Sequence, residues 1–236
     1  MSEQGKIRVL HLVEDLKVGG LEMVIASIVL GLDKTKYQSQ VWCLARGGDV
    51  ATELKGKGAS VRILGEKSYY NPLRILYLAR LIRGEKFSII HTHGYFASTF
   101  GRAAGLIARV PVIIAHVHTT YHDDTFRNIL IENILSRFTD RIIFVSKAVQ
   151  RSMIENEGIR EENTCVIYNG TTITSPINNI ETIRRGREQL GIDKQDRVII
   201  IVASLTPNKG HKVLLDAFAQ VVKKYPHMKL LIVVDK

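Results

Sequence analysis

The sequence predicts an α/β protein: a doubly wound parallel β-sheet, followed by the opening βαβ unit of a second domain of the same kind. Three observations lead there. Short apolar runs alternate along the chain with segments whose apolar residues fall at helical spacing. The apolar runs are near-continuous, as in strands covered on both faces. Gly, Pro, Asn and Asp mark the joins.

Residues 7–13 read as a buried strand closed by Glu14 and Asp15. After Gly19-Gly20, the residues Leu21, Val24, Ile25, Ile28, Val29 and Leu32 lie on one face of an amphipathic helix, which Gly31 and Asp33 end. Strand 38–45, helix 49–57 and strand 61–64 follow. Helix 72–83 has Pro72 in its first turn. Strand 87–92, helix 96–108, strand 112–117 and helix 124–138 continue the alternation. Strand 141–145 leads to Ser146, an N-cap candidate, and helix 147–157. Strand 164–168 stops at the Asn169-Gly170 turn. Residues 1–173 thus form one domain, and 174–195 read as a polar linker with one helical stretch. Strand 198–203, a helix face from Val213 to Tyr225 stopped by Pro226, and strand 230–234 make an incomplete second domain over 196–236. A lone βαβ unit cannot cover both faces of its sheet, so the sequence reads as the front part of a two-domain protein.

Composition narrows the function. Apolar residues make up 45% and charged residues 24%, as in a globular protein. No apolar run approaches the ~18 residues of a membrane span, and Glu14 and Asp15 interrupt any signal-peptide core, so a cytoplasmic location is expected. Two cysteines, Cys43 and Cys165, are too few for a disulfide framework and read as small buried apolar residues. The net charge of +10 divides into +7 for residues 1–110, −2 for 111–173 and +5 for 174–236. That excess suits a phosphate-rich partner or an anionic membrane surface, or is a solvated basic face. No nucleic-acid-binding signature is present, so nucleic acid is not expected as a partner.

Ligands of open α/β sheets sit beyond the carboxyl ends of the strands. Gly19-Gly20 lies there, ahead of a helix N-terminus that offers free N–H groups to a phosphate. The full dinucleotide fingerprint is absent from VGGLEM, which argues against a nicotinamide-dependent dehydrogenase. His11, His91, His93, His116, His118 and His122 fall at or just after strand ends. The i, i+2 pairs His91/His93 and His116/His118 each share a strand face. One reading is a metal site completed by Asp123 or Asp124, although such pairs on neighbouring strands are expected to diverge. The other is a set of imidazoles facing a sugar or phosphate. Lys209, in LTPNKGHK, sits just before a helix, where an ammonium suits a diphosphate; the plainer reading is a solvated loop lysine.

Taken together, IRVLHLVEDLKVGGLE, FSIIHTHGYFASTFGRAAG, PVIIAHVHTT, LSRFTDRIIFVSKAVQRSMIENEGI, CVIYNGTTI and LTPNKGHKVLLDAFAQVVKKYPHMKLLIV resemble the family 4 glycosyltransferases of the GT-B fold. The resemblance covers nearly the whole chain. It implies two Rossmann-like domains and a retaining, metal-independent transfer of a sugar from a nucleotide diphosphate donor, with no cofactor. The acceptor would be a glycan, a lipid-linked sugar or a small molecule, and a lipid-linked one is compatible with peripheral membrane contact. Carried over residue by residue, the family's glycine loop matches Gly19 and Gly20, near the phosphates or the acceptor. Its sugar-contacting histidine matches His118, and its donor-phosphate lysine matches Lys209. Glu22, His93, Thr119, Ser146, Asn169 and Ser204 are the cleft-lining candidates. Two departures stand out. Ser204 occupies the stretch where the family usually has an Arg, and a late glutamate pair is missing, since only Asp216 and Asp235 follow Lys209 as acids. The resemblance therefore implies a transferase family but a 236-residue chain with little activity by itself. A non-enzymatic binding subunit or relic, and a histidine-dependent metal hydrolase, are the competing readings.

Overall fold

The computed structural model describes residues 5–65, 73–120, 125–171 and 179–234. Pro72, His122, Asp123, Asp124 and Asp235, named above, lie outside them. The chain divides into two compact units, Met1–Thr171 and Thr172–Lys236.

The first unit is a seven-stranded, wholly parallel sheet. Its elements run β1 (Ile7–Val13), α1 (Gly20–Gly31), β2 (Tyr37–Cys43), α2 (Asp49–Gly56), β3 (Ser60–Ile63), α3 (Leu73–Glu85), β4 (Ile89–His93), α4 (Tyr95–Ala108), β5 (Val112–Val117), α5 (Phe126–Ser136), β6 (Arg141–Phe144), α6 (Lys147–Glu157) and β7 (Thr164–Val166). The strand order is β3-β2-β1-β4-β5-β6-β7. The order reverses between β1 and β4, which makes the carboxyl ends of these two strands the switch point where open α/β sheets bind ligands.

Side-chain alternation divides the core. Leu10, Leu12, Ile90 and Ile113 point to one face and pack with Leu78, Ala79 and Ile82 of α3 and Ala97, Ala104 and Ala108 of α4. Val13, Val41 and Cys43 point to the other, against Ile25, Ala26 and Val29 of α1 and Val50, Ala51 and Leu54 of α2. The sheet is doubly wound, as expected. A third cluster joins Ala115, Val117, Ile142 and Phe144 to Met153 of α6. Helix α4 lies close because it presents glycine to the sheet: a methyl at Gly101 would stand 2.5 Å from Leu12 and 2.7 Å from Thr92. Between α4 and α5, the buried Arg102 guanidinium grips the buried Glu132 carboxylate with both arms, Nη1 to Oε1 at 2.8 Å and Nη2 to Oε2.

The second unit carries α7 (Ile180–Gln189), β8 (Arg197–Val202), α8 (His211–Lys224) and β9 (Met228–Val233). Helix α7 is the helical stretch expected within 174–195. Asn179 caps it, accepting from the N–H groups of Glu181 and Thr182, and Arg184 pairs with Glu181 and Glu188 along its face. Strands β8 and β9 pair in parallel as a separate two-stranded sheet. Many of their apolar side chains are exposed, Ile200 at 58% and Val202 at 71% among them.

The cysteines divide. Cys43 is buried, its thiol donating to the Arg46 carbonyl at 2.7 Å, and burial pushes its pKa up to about 12, so it is inert as a nucleophile. Cys165, expected to be buried, is half-buried, because β7 is the sheet's edge strand.

Candidate active site

The register of β1, β4 and β5 builds the site. His11 lies beside His91, and His93 beside His116. Residues two apart share a strand face, so His11, His91, His93 and His116 all project from the same side of the sheet, and His118 follows directly after β5. His11, His91 and His116 are thus set back from the strand ends, whereas His93 ends β4. His93 Nε2 is 3.3 Å from His11 Nδ1, and His93 Nδ1 is 3.3 Å from His118 Nε2. The His91 and His116 rings lie parallel at 5.5 Å, and His116 and His118 stack at 4.2 Å. The spacing argument that such pairs diverge does not hold here, because the two strands are neighbours in register.

Burial fixes the protonation of this cluster. It lowers His11 and His118 to about 4 and His116 to about 3, with neighbouring imidazoles adding to the effect at His116. His91 and His93 are pushed well below their ordinary value by burial first and by the surrounding rings second. At pH 7 all five are neutral. His118 therefore offers a ligand a hydrogen bond and not a positive charge.

The turn after β4 is made by Gly94, whose φ of +77° and ψ of 167° are essentially restricted to glycine. A Cβ there would stand 3.5 Å from Leu21 Cδ1, so this turn adjoins the start of α1. At that start, Gly19 is extended and caps α1 through its carbonyl, and Gly20 has open space around it. A methyl on Gly19 would run into the Glu22 carboxylate. Burial, with Asp15 adding, raises the pKa of Glu22, and its own backbone N–H partly offsets this. The α1 N-terminus thus carries a carboxylate of its own where an anion would otherwise sit.

The remaining candidates are more dispersed. Ser146 caps α6, its Oγ accepting from the Val149 N–H at 3.2 Å, so the hydroxyl is already engaged. Thr119 and Asn169 are exposed at the carboxyl side of β5 and β7. In the second unit, Ser204 Oγ lies 3.4 Å from Thr206 Oγ1, which donates to Asn208 Oδ1 at 2.5 Å. This loop runs into a 3₁₀ turn ending at Lys209, which is exposed. Gly210, at φ +72°, then starts α8.

The sequence pattern of Glycosyltransferase Family 4 matches residues 18–174. The chain belongs to this family. A second pattern, that of glycosyl transferases group 1, matches residues 182–234. Among curated relatives of this family-4 chain, the capsular polysaccharide biosynthesis glycosyltransferase CapH of Staphylococcus aureus is 22% identical over 227 residues, covering 92% of this chain and 59% of the relative. The alpha-monoglucosyldiacylglycerol synthase of Acholeplasma laidlawii is 24% identical, covering 96% and 58%. The crystal structure of Anabaena HepE in complex with UDP and glucose superposes with a TM-score of 0.79 at 27% identity, covering 96% of this chain and 60% of that one. The family-4 chain therefore spans about three fifths of the length of these relatives.

Sequence reasoning missed Gly94 beside the site and, in the packing of α4 on the opposite face of the sheet and on α5, Gly101 and the Arg102–Glu132 pair. Gly94 was visible as the glycine of HTHG, directly after a strand. Gly101 lies in the quoted GRAAG stretch. The pairing of Arg102 with Glu132 joins residues 30 apart and left no local signal.

Proposed function

We propose that the protein transfers a sugar, with retention, from a UDP- or GDP-linked donor to a hydroxyl of a glycan or lipid-linked acceptor. The observation that carries this reading is the neutral imidazole of His118, at the carboxyl end of β5 and bonded to His93 near the switch point of a family-4 sheet. The relative crystallised with UDP and glucose supports the donor class.

In this reading His118 hydrogen-bonds the sugar being transferred. A neutral ring is suited to that, because a protonated one would favour the diphosphate instead. Taken by itself, the second unit offers a diphosphate the Lys209 ammonium and the N-terminus of the 14-residue α8, whose free N–H groups and dipole suit negative charge on a leaving group. The α1 turn takes the acceptor: the Glu22 carboxylate there repels phosphate but accepts from a hydroxyl. A lipid-linked acceptor sets the reaction at a membrane surface, and the net charge of +7 over residues 1–110 suits anionic lipid. No helix among the described residues is long and apolar enough to cross a membrane.

The test offers the purified protein a panel of UDP- and GDP-sugars, follows nucleotide release, and measures nucleotide binding by calorimetry. Turnover lost in His118→Ala, with nucleotide binding weakened in Lys209→Ala, supports the reading. Nucleotide binding without turnover rejects it in favour of a binding subunit, and turnover indifferent to His118 rejects the role of that residue.

A further inference from the structure

The connections from β3 to β4, β4 to β5 and β5 to β6 all cross the strand order in one direction, so right-handed crossovers place α3, α4 and α5 side by side on one face of the sheet. Their inward sides build the core, while their outward sides hold large apolar residues in water. On α5, Phe126, Leu130 and Ile134 recur every fourth residue along one exposed face, and Phe126 is 81% exposed. Phe138 continues the stripe past the helix end. On α3, Leu73, Leu76 and Tyr77 form an exposed i, i+3, i+4 set. Leu106 and Ile107 are exposed at the end of α4, where the Arg83 guanidinium of α3 donates to the Ile107 carbonyl. Apolar side chains gathered on one surface, unlike those scattered singly, mark an interaction site.

Charge specifies the partner. Residues 73–84, 95–110 and 126–139 contain seven arginines and one acid, Glu132, which is buried against Arg102. Arg80, Arg83, Arg109, Arg127 and Arg137 are exposed. The two flanking acids are engaged elsewhere: Glu85 pairs with Arg8 at 3.0 Å, and Asp140 accepts from the Ile113 N–H at 2.7 Å. Helix α2, on the opposite face, is mixed instead, exposing Asp49 and Glu53 beside Lys55.

Apolar side chains interleaved with arginine and free of exposed acid suit the boundary between the headgroups and acyl chains of an anionic bilayer. The rings and aliphatic chains enter it, and the guanidinium groups stay level with the phosphates. A second copy of this surface fits less well, since it would set arginine against arginine. We propose that the outer surface of α3, α4 and α5 is a peripheral docking face for an anionic lipid bilayer, centred on α5. Segment charge conceals it, because α5 lies in residues 111–173, whose net charge is −2. Helices of a parallel sheet run back from its carboxyl edge, so Phe126 opens α5 on the edge where His118 stands, eight residues after it. A docked bilayer thus lies beside the edge that would receive a lipid-linked acceptor. That last step rests on the proposed transferase function, whereas docking itself is measured without donor or acceptor.

The full chain is mixed with vesicles of phosphatidylcholine alone, or with about 30% phosphatidylglycerol, and bound protein is followed by flotation. Anionic vesicles are expected to bind at least about tenfold more strongly at ~0.1 M salt. Arg127→Ala with Arg137→Ala lowers that binding roughly 25-fold, about fivefold for each arginine. Phe126→Ser with Leu130→Ser lowers it at least about tenfold. Lys55→Ala with Lys57→Ala makes the same change in net charge on the opposite face and alters binding less than about twofold. All these positions are exposed, and circular dichroism checks that each variant folds. No binding to anionic vesicles at about 1 mM lipid, or equal binding to neutral ones, overturns the proposal. Binding that survives both α5 variants arises elsewhere, as on the exposed strands of the second unit, and overturns the assignment to this face. A dimer that Phe126→Ser with Leu130→Ser dissociates replaces the bilayer by a second copy. Vesicle binding without sugar transfer upholds the docking face and rejects the transferase reading; transfer without vesicle binding does the reverse.

Discussion

His118 Nε2 lies 3.3 Å from His93 Nδ1, and the other nitrogen of His93 lies 3.3 Å from His11 Nδ1. The three neutral rings form a row from a half-buried position into the core. In such a row one tautomer fixes the next. If His118 donates to His93, then His93 donates to His11, and His118 Nδ1 is left as an acceptor. If the row runs the other way, His118 Nδ1 is a donor. Under the proposed function, the hydrogen bond that His118 makes to a sugar is thus set through His93 by His11, which His118 does not touch.

This arrangement predicts how the rate depends on pH. Replacing His118 by Ala removes the contact and is expected to lower the transfer rate about a hundredfold or more. With its pKa held at about 4, His118 stays neutral through pH 5–8. Its titration should therefore leave no break in the pH–rate profile near 6.5, and a steady-state profile over that range checks this.

Acid should also destabilise the fold. Each buried histidine has a lowered pKa in the folded state, while the unfolded chain takes up a proton near 6.5. The unfolded state then binds more protons, so stability is fully present above about 6.5 and is lost as pH falls from there toward about 4. Each histidine contributes a slope of up to about 1.4 kcal/mol per pH unit within that window. Urea denaturation between pH 7.5 and 5 should show the loss, and His116→Phe should flatten the slope.

The sequence made the elements legible where side-chain pattern and pairing coincide. Strand β1 ends at Val13, where Glu14 and Asp15 close the apolar run, and α6 begins after the Ser146 cap. It was less informative where pairing alone decides. β9 starts at Met228, earlier than its apolar run, because Met228 pairs with Arg197. β7 stops at Val166, although the apolar run continues to Tyr168, since its registered pairing with β6 ends at Phe144. The histidines were visible as strand-associated residues. Their gathering into one cluster depends on register between β1, β4 and β5, and register is a non-local property that no window of sequence contains.

Gly94 and Gly20 should respond differently to alanine. Gly94 holds a backbone conformation closed to other residues, so Gly94→Ala is expected to cost on the order of 1–3 kcal/mol and to disturb the adjoining His93. Gly20 begins α1 with ordinary helical geometry and open space at the Cβ position. Gly20→Ala should therefore leave stability within about 0.5 kcal/mol, as for a surface substitution. Chemical denaturation separates the two.

The Arg102–Glu132 pair predicts an asymmetry between single and double replacement. The two side chains are 1% and 7% exposed. Glu132→Gln leaves a buried guanidinium without its counter-charge, which is expected to cost about 3–5 kcal/mol. Replacing both, as Arg102→Met with Glu132→Leu, removes the charge and its desolvation together and should restore most of that loss. The cycle is read from denaturation midpoints of the three variants.

Under the proposed function, Glu22 decides which ligand the α1 turn serves. Its carboxylate lies over Gly19 at the helix N-terminus, half-buried, with a pKa raised by burial and by Asp15. A phosphate brought to the same helix end would meet a negative charge already in place. If the turn binds the donor diphosphate, Glu22→Gln removes that repulsion and tightens nucleotide binding. If it binds an acceptor hydroxyl, the same change removes a charged acceptor of a hydrogen bond, worth about 1.5–3 kcal/mol, and leaves the nucleotide unaffected. The second outcome is expected: roughly a tenfold or greater rise in KM for the acceptor, with nucleotide affinity unchanged. Gly20→Ala gives an independent check at the same place. Its added methyl faces open space in the free protein, so any loss of acceptor affinity without loss of stability marks the space that the acceptor occupies.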